Sequence, residues 1–546
     1  MSSPRSPLWA AALLTPFVLA SADLSSSCSS AAISKPVLFG TEILSITANP
    51  VFNQSNPPPV LQLNPLPETD DLFSFCNVTV TYTHPGQGDK IATQVFLPLE
   101  NWNNRLLGLG GGGFGTRLPS DDNLLNAVAS GYAAVNTDGG HDPNLIGVGE
   151  WALNSPGNVD LYALNNFAHV ALYETSGIGK AIAASFYKSE PKFSYFAGCS
   201  TGGRQAMMLA QRYPTAYDGY LSSCPAINFG TFIMAEIWAY VVMKTASSPV
   251  PVCVLEKFTA AAIEACDGLD GVVDGVVDDY RKCTFDPFDI VGQKVDCDSS
   301  EIVISSDDAD VVQRIWAGPR SKDGEFLWYG FTPGSPLTIV ANSQCDSDNK
   351  CTALPFFLAG EWVKFFLKKD PNYDLSSITR EEFYDLFHES QNWYRSIIET
   401  DDPDLSGLER SGGKMISWHG NIDEVIPMRG TSDYYDRVRA LDPRVDEYYR
   451  HFEVPGVGHC FSGPGALPKT ALDTLIRWVE DDVPPKSLPG EMVDPESNKT
   501  TYRDHPAYHI QQKGEKTEEE KEWEKIDREK MEREEEEEEW ERKTEL

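Results

Sequence analysis

The pentapeptide Gly198-Cys199-Ser200-Thr201-Gly202 stands between two segments of different period, and this limits the folds open to the chain. Before it, Phe193-Ser194-Tyr195-Phe196-Ala197 is a short apolar run of the kind that forms a buried strand; after it, Ala206, Leu209 and Ala210 recur at helical spacing. Glycine two residues either side of Ser200 permits a turn too tight for bulkier residues, which lifts the serine hydroxyl above the strand end and starts a helix beside it. A strand that turns directly into a helix belongs to a parallel sheet covered by helices.

Other segments repeat the pattern. Arg105 to Leu109 runs into Gly110-Gly111-Gly112-Gly113, Tyr132 to Asn136 into Asp138-Gly139-Gly140-His141, Lys414 to Trp418 into His419-Gly420-Asn421-Ile422-Asp423, and Tyr448 to Val454 into Pro455-Gly456-Val457-Gly458-His459. Helical patterns cover Phe167 to Tyr187 and Ala466 to Trp478. The segment from Asp23 to about Glu100, with its alternating Asn77 to Tyr82, reads as an N-terminal β extension. Regular alternation is lost between about Cys224 and Lys414, a stretch too long for a loop and therefore an inserted domain. The expected organisation is a catalytic α/β domain in two parts, 23–225 and 411–490, an insertion over 226–410, and a tail over 491–546. That tail ends in a run of Glu, Lys and Arg with few apolar residues, which predicts disorder or a solvated helix.

The first 22 residues place Arg5 before an apolar stretch from Leu8 to Leu19 and the small residues Ala20-Ser21-Ala22, the pattern of a secretory signal peptide. Export to an extracellular location is the expectation, and it makes the 11 cysteines candidates for oxidation, with an odd one left over. Sequons at Asn53, Asn77 and Asn498 are candidate glycosylation sites on the same route. A formal net charge of −36 argues against nucleic acid and anionic membrane as partners, because their phosphates would be repelled.

A serine nucleophile needs a base within hydrogen-bond reach and a carboxylate to orient that base. His459 follows the last expected strand and Asp423 the one before it, so Ser200, Asp423 and His459 occupy strand ends in an order that can converge on one site. The Thr201 N–H at the helix start, with an N–H of Gly112 or Gly113, is the candidate oxyanion-binding pair. Cys199 and Cys460 adjoin nucleophile and base, so contact between the latter predicts a disulfide between the former. Asp267 to Val276 sets Asp267, Asp270 and Asp274 among tight Gly turns; these carboxylates and the Val272 and Val276 carbonyls predict a structural calcium loop, closed by Cys266 and Cys283. Cys28, Cys76, Cys345 and Cys351 are also expected in disulfides, whereas Cys224, Cys253 and Cys297 have no assignable partners.

The segments Gly198-Cys199-Ser200-Thr201-Gly202-Gly203-Arg204-Gln205-Ala206, Trp418 to Asp423 and Val454 to Cys460 together resemble the tannase and feruloyl esterase family of secreted α/β-hydrolases. The resemblance spans roughly residues 28 to 490 and is lost after about Asp494. It implies an α/β-hydrolase fold with a large lid domain inserted between nucleophile and acid, with Ser200 as nucleophile, His459 as general base and acid, Asp423 as its orienter, and the calcium loop within the lid. It also implies a carboxylic ester hydrolase acting on feruloyl, caffeoyl or galloyl esters of plant material. The alternatives are a tannin acyl hydrolase in particular, or a catalytically silent binding protein on the same fold.

Overall fold

The computed structural model describes residues 24–55, 57, 72–246, 249–297, 300–346, 350–493 and 500–508. The expected signal peptide, Asn498 and the charged segment after residue 508 lie outside them. The main sheet contains β1 (Glu42–Gln54), β2 (Phe73–Thr83), β3 (Ile91–Pro98), β4 (Arg105–Leu109), β5 (Ala133–Thr137), β6 (Phe193–Cys199), β7 (Gly219–Ser223), β8 (Lys414–Gly420) and β9 (Tyr449–Val454), in the order β1-β2-β3-β5-β4-β6-β7-β8-β9. Pairs from β1 to β5 are antiparallel, so the N-terminal extension adds edge strands to the sheet. Every pair from β5 through β9 is parallel.

Both faces of the parallel part are buried, which is why its strands read as continuous apolar runs. Leu106, Val135, Phe196, Tyr220 and Met415 join one core, with Ile178 and Ile182 of one helix and Met207 and Tyr435 of two others. Leu107, Ala134, Tyr195, Leu221 and Ile416 join the opposite core, with Leu124 and Leu475. The helices of the first face are α3 (Val170–Tyr187), α4 (Thr201–Arg212) and α9 (Arg429–Leu441); those of the second are α1 (Asp122–Ala129) and α10 (Ala471–Asp481).

Between β7 and β8 the chain builds α5 (Phe229–Thr245), α6 (Val252–Cys266), α7 (Ser306–Ala317) and α8 (Arg380–Ile398) around a third core. Trp238, Phe258, Trp362 and Phe387 from this segment pack with Phe114, Trp151 and Phe167 from the loops and helix that follow β4 and β5. Helix α5 is buried along nearly its whole length, so it is apolar on every side and carries no amphipathic period.

Three boundaries differ from the sequence expectation. The pattern over Phe167 to Tyr187 is two helices, α2 (Leu161–Ala168) and α3, broken at His169. The last helix starts at Ala471 instead of Ala466, because Leu467 bridges to Glu491 and Pro468 follows it. The segment from 491 is not all charged appendage: β10 (Ser487–Val493) and β11 (Thr500–Pro506) form an antiparallel hairpin. Leu488, Ala507 and Tyr508 are buried and anchor that hairpin against the sheet domain.

Candidate active site

Strand β6 ends at Cys199 and α4 begins at Thr201, leaving Ser200 alone at the turn with φ 62° and ψ −124°. Such a conformation costs about 1–3 kcal/mol and persists only where the surroundings enforce it. Here the enforcement is steric. A Cβ on Gly198 would stand 2.6 Å from Gly202 Cα, and one on Gly202 would stand 3.0 Å from Gly111 O. The elbow and the glycine-rich loop are therefore in backbone contact.

Helix α4 grips that loop with three hydrogen bonds. The Gly202 N–H donates to Gly111 O at 3.1 Å, the Thr201 hydroxyl to Gly113 O at 2.6 Å, and the Gly111 N–H to Gln205 Oε1 at 3.0 Å. Gln205 Nε2 also donates to Thr116 O, so this fully buried amide fixes both ends of the loop. Gln205 was absent from the expected site residues, although its place one helical turn after Ser200 was the available signal. Thr201, Gly112 and Gly113 are thus neighbours of the elbow. Beside Gln205, Arg204 is fully buried and donates to the carbonyls of Ala168 and Phe167 at the end of α2. Burial, helped by the Arg212 charge, pulls its guanidinium down to about 9.

Asp423 and His459 meet at the ends of β8 and β9. The imidazole Nδ1 lies 2.8 Å from Asp423 Oδ2, while the N–H groups of Val425 and Ile426 donate to Oδ1, each at 2.8 Å. A second imidazole, His419, places Nε2 3.1 Å from the same Oδ2. Burial alone would raise the Asp423 carboxyl, but the His459 charge and hydrogen bonds from His419 and His459 hold it well below the usual carboxylate range. For His459, burial disfavours the imidazolium, yet the charge and hydrogen bond of Asp423, with Glu424 adding, outweigh it and raise the pKa. Glu424 also accepts the His459 backbone N–H at 2.9 Å. No hydrogen bond joins Ser200 to His459 among the described residues.

A disulfide joins Cys199 to Cys460, with Cα atoms 5.9 Å apart, and so ties the serine turn to the histidine loop. Cys28–Cys76, Cys266–Cys283 and Cys345–Cys351 are also bonded. Cys253 pairs with Cys297, a bond that spacing had left unassigned. Cys224 is a buried free thiol, and its sulfur receives the Cys460 N–H at 3.4 Å.

The acidic loop lies beyond α6, away from the serine in sequence. Asp267 accepts from the N–H groups of Asp274 and Gly275, Asp270 from Val272, and Asp274 from Val276. As folded here, the side-chain oxygens of the three aspartates do not all lie within 4.8 Å of one another. Their chemistry nevertheless suits a hard cation, since each carboxylate keeps lone pairs free and the counter-charge at hand is Arg503, 4.0 Å from Asp270 and ion-paired with Asp278. Of the sequons, Asn53 is exposed on β1 and Asn77 is half-buried within β2.

The family model described as tannase and feruloyl esterase matches residues 76–516. A probable feruloyl esterase from Arthroderma benhamiae is 38% identical over 479 residues, covering 86% of this chain and 88% of that protein. A tannase from Aspergillus oryzae is 29% identical, covering 83% of this chain and 84% of its own. Among solved structures, a tannin acyl hydrolase from Aspergillus niger superposes with a TM-score of 0.79 at 28% identity, over 90% of this chain and 92% of that one.

Proposed function

Because the chain belongs to the tannase and feruloyl esterase family, we propose that it is a secreted carboxylesterase that hydrolyses aromatic esters, feruloyl or galloyl, with Ser200, His459 and Asp423 as its catalytic triad. The observation that carries the residue assignment is the Asp423–His459 hydrogen bond, fastened to the strained serine turn by the Cys199–Cys460 disulfide. In the reaction, Ser200 Oγ attacks the ester carbonyl carbon as its proton passes to His459 Nε2. The tetrahedral oxyanion accepts from the Thr201 N–H and from Gly112 or Gly113, and collapses as His459 protonates the departing alcohol. Water, deprotonated by His459, then attacks the acyl-enzyme and releases the aromatic acid. Asp423 stays ionised throughout and stabilises the imidazolium.

The segment 226–410 serves in this reading as the lid, packing its aromatic core against Phe114, Trp151 and Phe167. Hydrolysis of methyl ferulate and methyl gallate by the purified protein tests the substrate class. Cleavage of either is expected and the preferred ester names the subclass; a folded protein that cleaves neither contradicts the reading.

A raised His459 pKa also sets the pH profile. The base must be neutral to act, so kcat/KM is expected to fall as pH drops through a free-enzyme pKa above the ordinary imidazole value of about 6.5. Asp423→Asn removes the raising charge and should move that limb to lower pH. A wild-type limb below the ordinary value would contradict the assignment.

Asp267, Asp270 and Asp274, with the carbonyls of Val272 and Val276, would hold the calcium, which when bound supplies charge neutralisation and cross-links the loop. Calcium is expected to raise the midpoint of thermal unfolding, and Asp270→Asn together with Asp274→Asn should abolish that increase. An unfolding midpoint that calcium and chelator leave unmoved would refute the site. Passage through an oxidising secretory route accords with the five disulfides, and Asn53 is exposed to accept a glycan.

A further inference from the structure

Asp423 holds more donors than a three-residue relay requires. Its Oδ1 takes two backbone N–H groups, and its Oδ2 takes both His459 Nδ1 and His419 Nε2. His419 lies at the end of β8, fully buried, and its other ring nitrogen is 2.8 Å from the hydroxyl of Thr431, itself buried on α9.

Hydrogen-bond chemistry fixes the roles along this line. An ionised carboxylate only accepts, so His419 Nε2 carries a proton and donates to it, while the Thr431 hydroxyl, able to donate or accept, holds the other ring nitrogen. We propose that His419, held in place by Thr431, is a positioning residue of the esterase: it shares the Asp423 carboxylate with His459 and thereby sets the orientation and basicity of the catalytic imidazole. The inference rests on the triad reading above.

Other groups around the pair leave this charge balance intact. Cys224 after β7 and Glu236 on α5 both feel Asp423, and burial pushes each toward its neutral form. Burial pulls His451 on β9 down to about 3, so it is neutral as well. Glu424 is turned to the His459 backbone N–H and to the Ser462 hydroxyl. Asp423 thus has His459 and His419 as its two side-chain donors.

The test compares variants that remove the donor with variants that keep it. His419→Leu is expected to lower kcat roughly 10- to 100-fold, the effect of losing a charge-assisted hydrogen bond. KM should stay within about twofold, because a fully buried side chain touches no substrate. The acid limb of kcat/KM should move to higher pH, since an Asp423 charge no longer shared holds the His459 proton more tightly. His419→Gln, whose amide can donate to Asp423 and accept from Thr431, should recover most of kcat. Thr431→Val should reproduce part of the loss and Thr431→Ser should not, which keeps the test open if a His419 variant folds poorly. A folded His419→Leu with wild-type kcat and pH limb, or a Gln variant no better than Leu, would overturn the inference alone. Full activity in Asp423→Asn or His459→Ala would instead overturn the triad on which it depends.

Discussion

Ser200→Ala is expected to abolish ester hydrolysis, lowering kcat by about 10⁴- to 10⁶-fold while leaving substrate affinity and thermal stability near those of the parent. The size follows from the role: without Oγ no acyl-enzyme forms, and what remains is the contribution of binding and of the oxyanion-binding N–H groups. Stability should not fall. Alanine removes one hydroxyl from a half-buried turn, and the left-handed φ of 62° that the turn imposes is equally unfavourable for serine and alanine. Steady-state hydrolysis of methyl ferulate or methyl gallate, with melting curves of both proteins, checks the two halves. A Ser200→Ala protein that retains more than about one hundredth of the parent rate would place the nucleophile elsewhere.

Replacing Cys199 and Cys460 together by alanine should damage both activity and stability, in contrast to the serine change. This disulfide spans 261 residues of sequence. A chain-entropy model assigns closure of so long a loop about 5.5 kcal/mol, an upper figure here because other disulfides already restrain the intervening chain. The functional cost arises from geometry. Cys199 and Cys460 flank Ser200 and His459, the nucleophile and base of the proposed triad, and an uncertainty of about 1 Å between reacting groups costs about 10²-fold in rate. The double variant is expected to show a lowered unfolding midpoint and a kcat reduced by about that factor, with the kcat effect persisting well below the melting transition. Wild-type kcat in the folded double variant would show that packing of the two loops suffices to align the site.

The sheet and the places of Ser200, Asp423 and His459 at its strand ends were legible because each rests on a local pattern. Strands buried on both faces read as short apolar runs, and β4, β6 and β8 begin where those runs begin. Ser200, Asp423 and His459 stand in turns at strand ends, where chemistry-bearing residues are easy to separate from core. What escaped was nonlocal or unpatterned. Strand β7, Gly219–Ser223, is as long as β4 but carries only Tyr220 and Leu221 as apolar residues and so shows no run, and α5 is wrapped in apolar neighbours and so shows no period. Cys253 and Cys297 meet only because α6 folds beside the 294–297 strand. Gln205 and His419 sat inside motifs already noticed, yet their partners, Gly111 and Asp423, are set by tertiary contact and by the direction of a side chain. In the C-terminal hairpin, a few apolar anchors outweigh an unpromising composition.

Covalent capture of the acyl-enzyme is the most direct test of the central assignment. Mixing excess protein with an activated aromatic ester, quenching in acid within the first turnover and mapping the acylated peptide by mass spectrometry reports which side chain attacks. The account predicts acylation on Ser200, accumulating further in His459→Ala if the acyl group is loaded from the activated ester, and none in Ser200→Ala. Acylation at another residue, or hydrolysis of aromatic esters that proceeds with Ser200 unmodified, would contradict it.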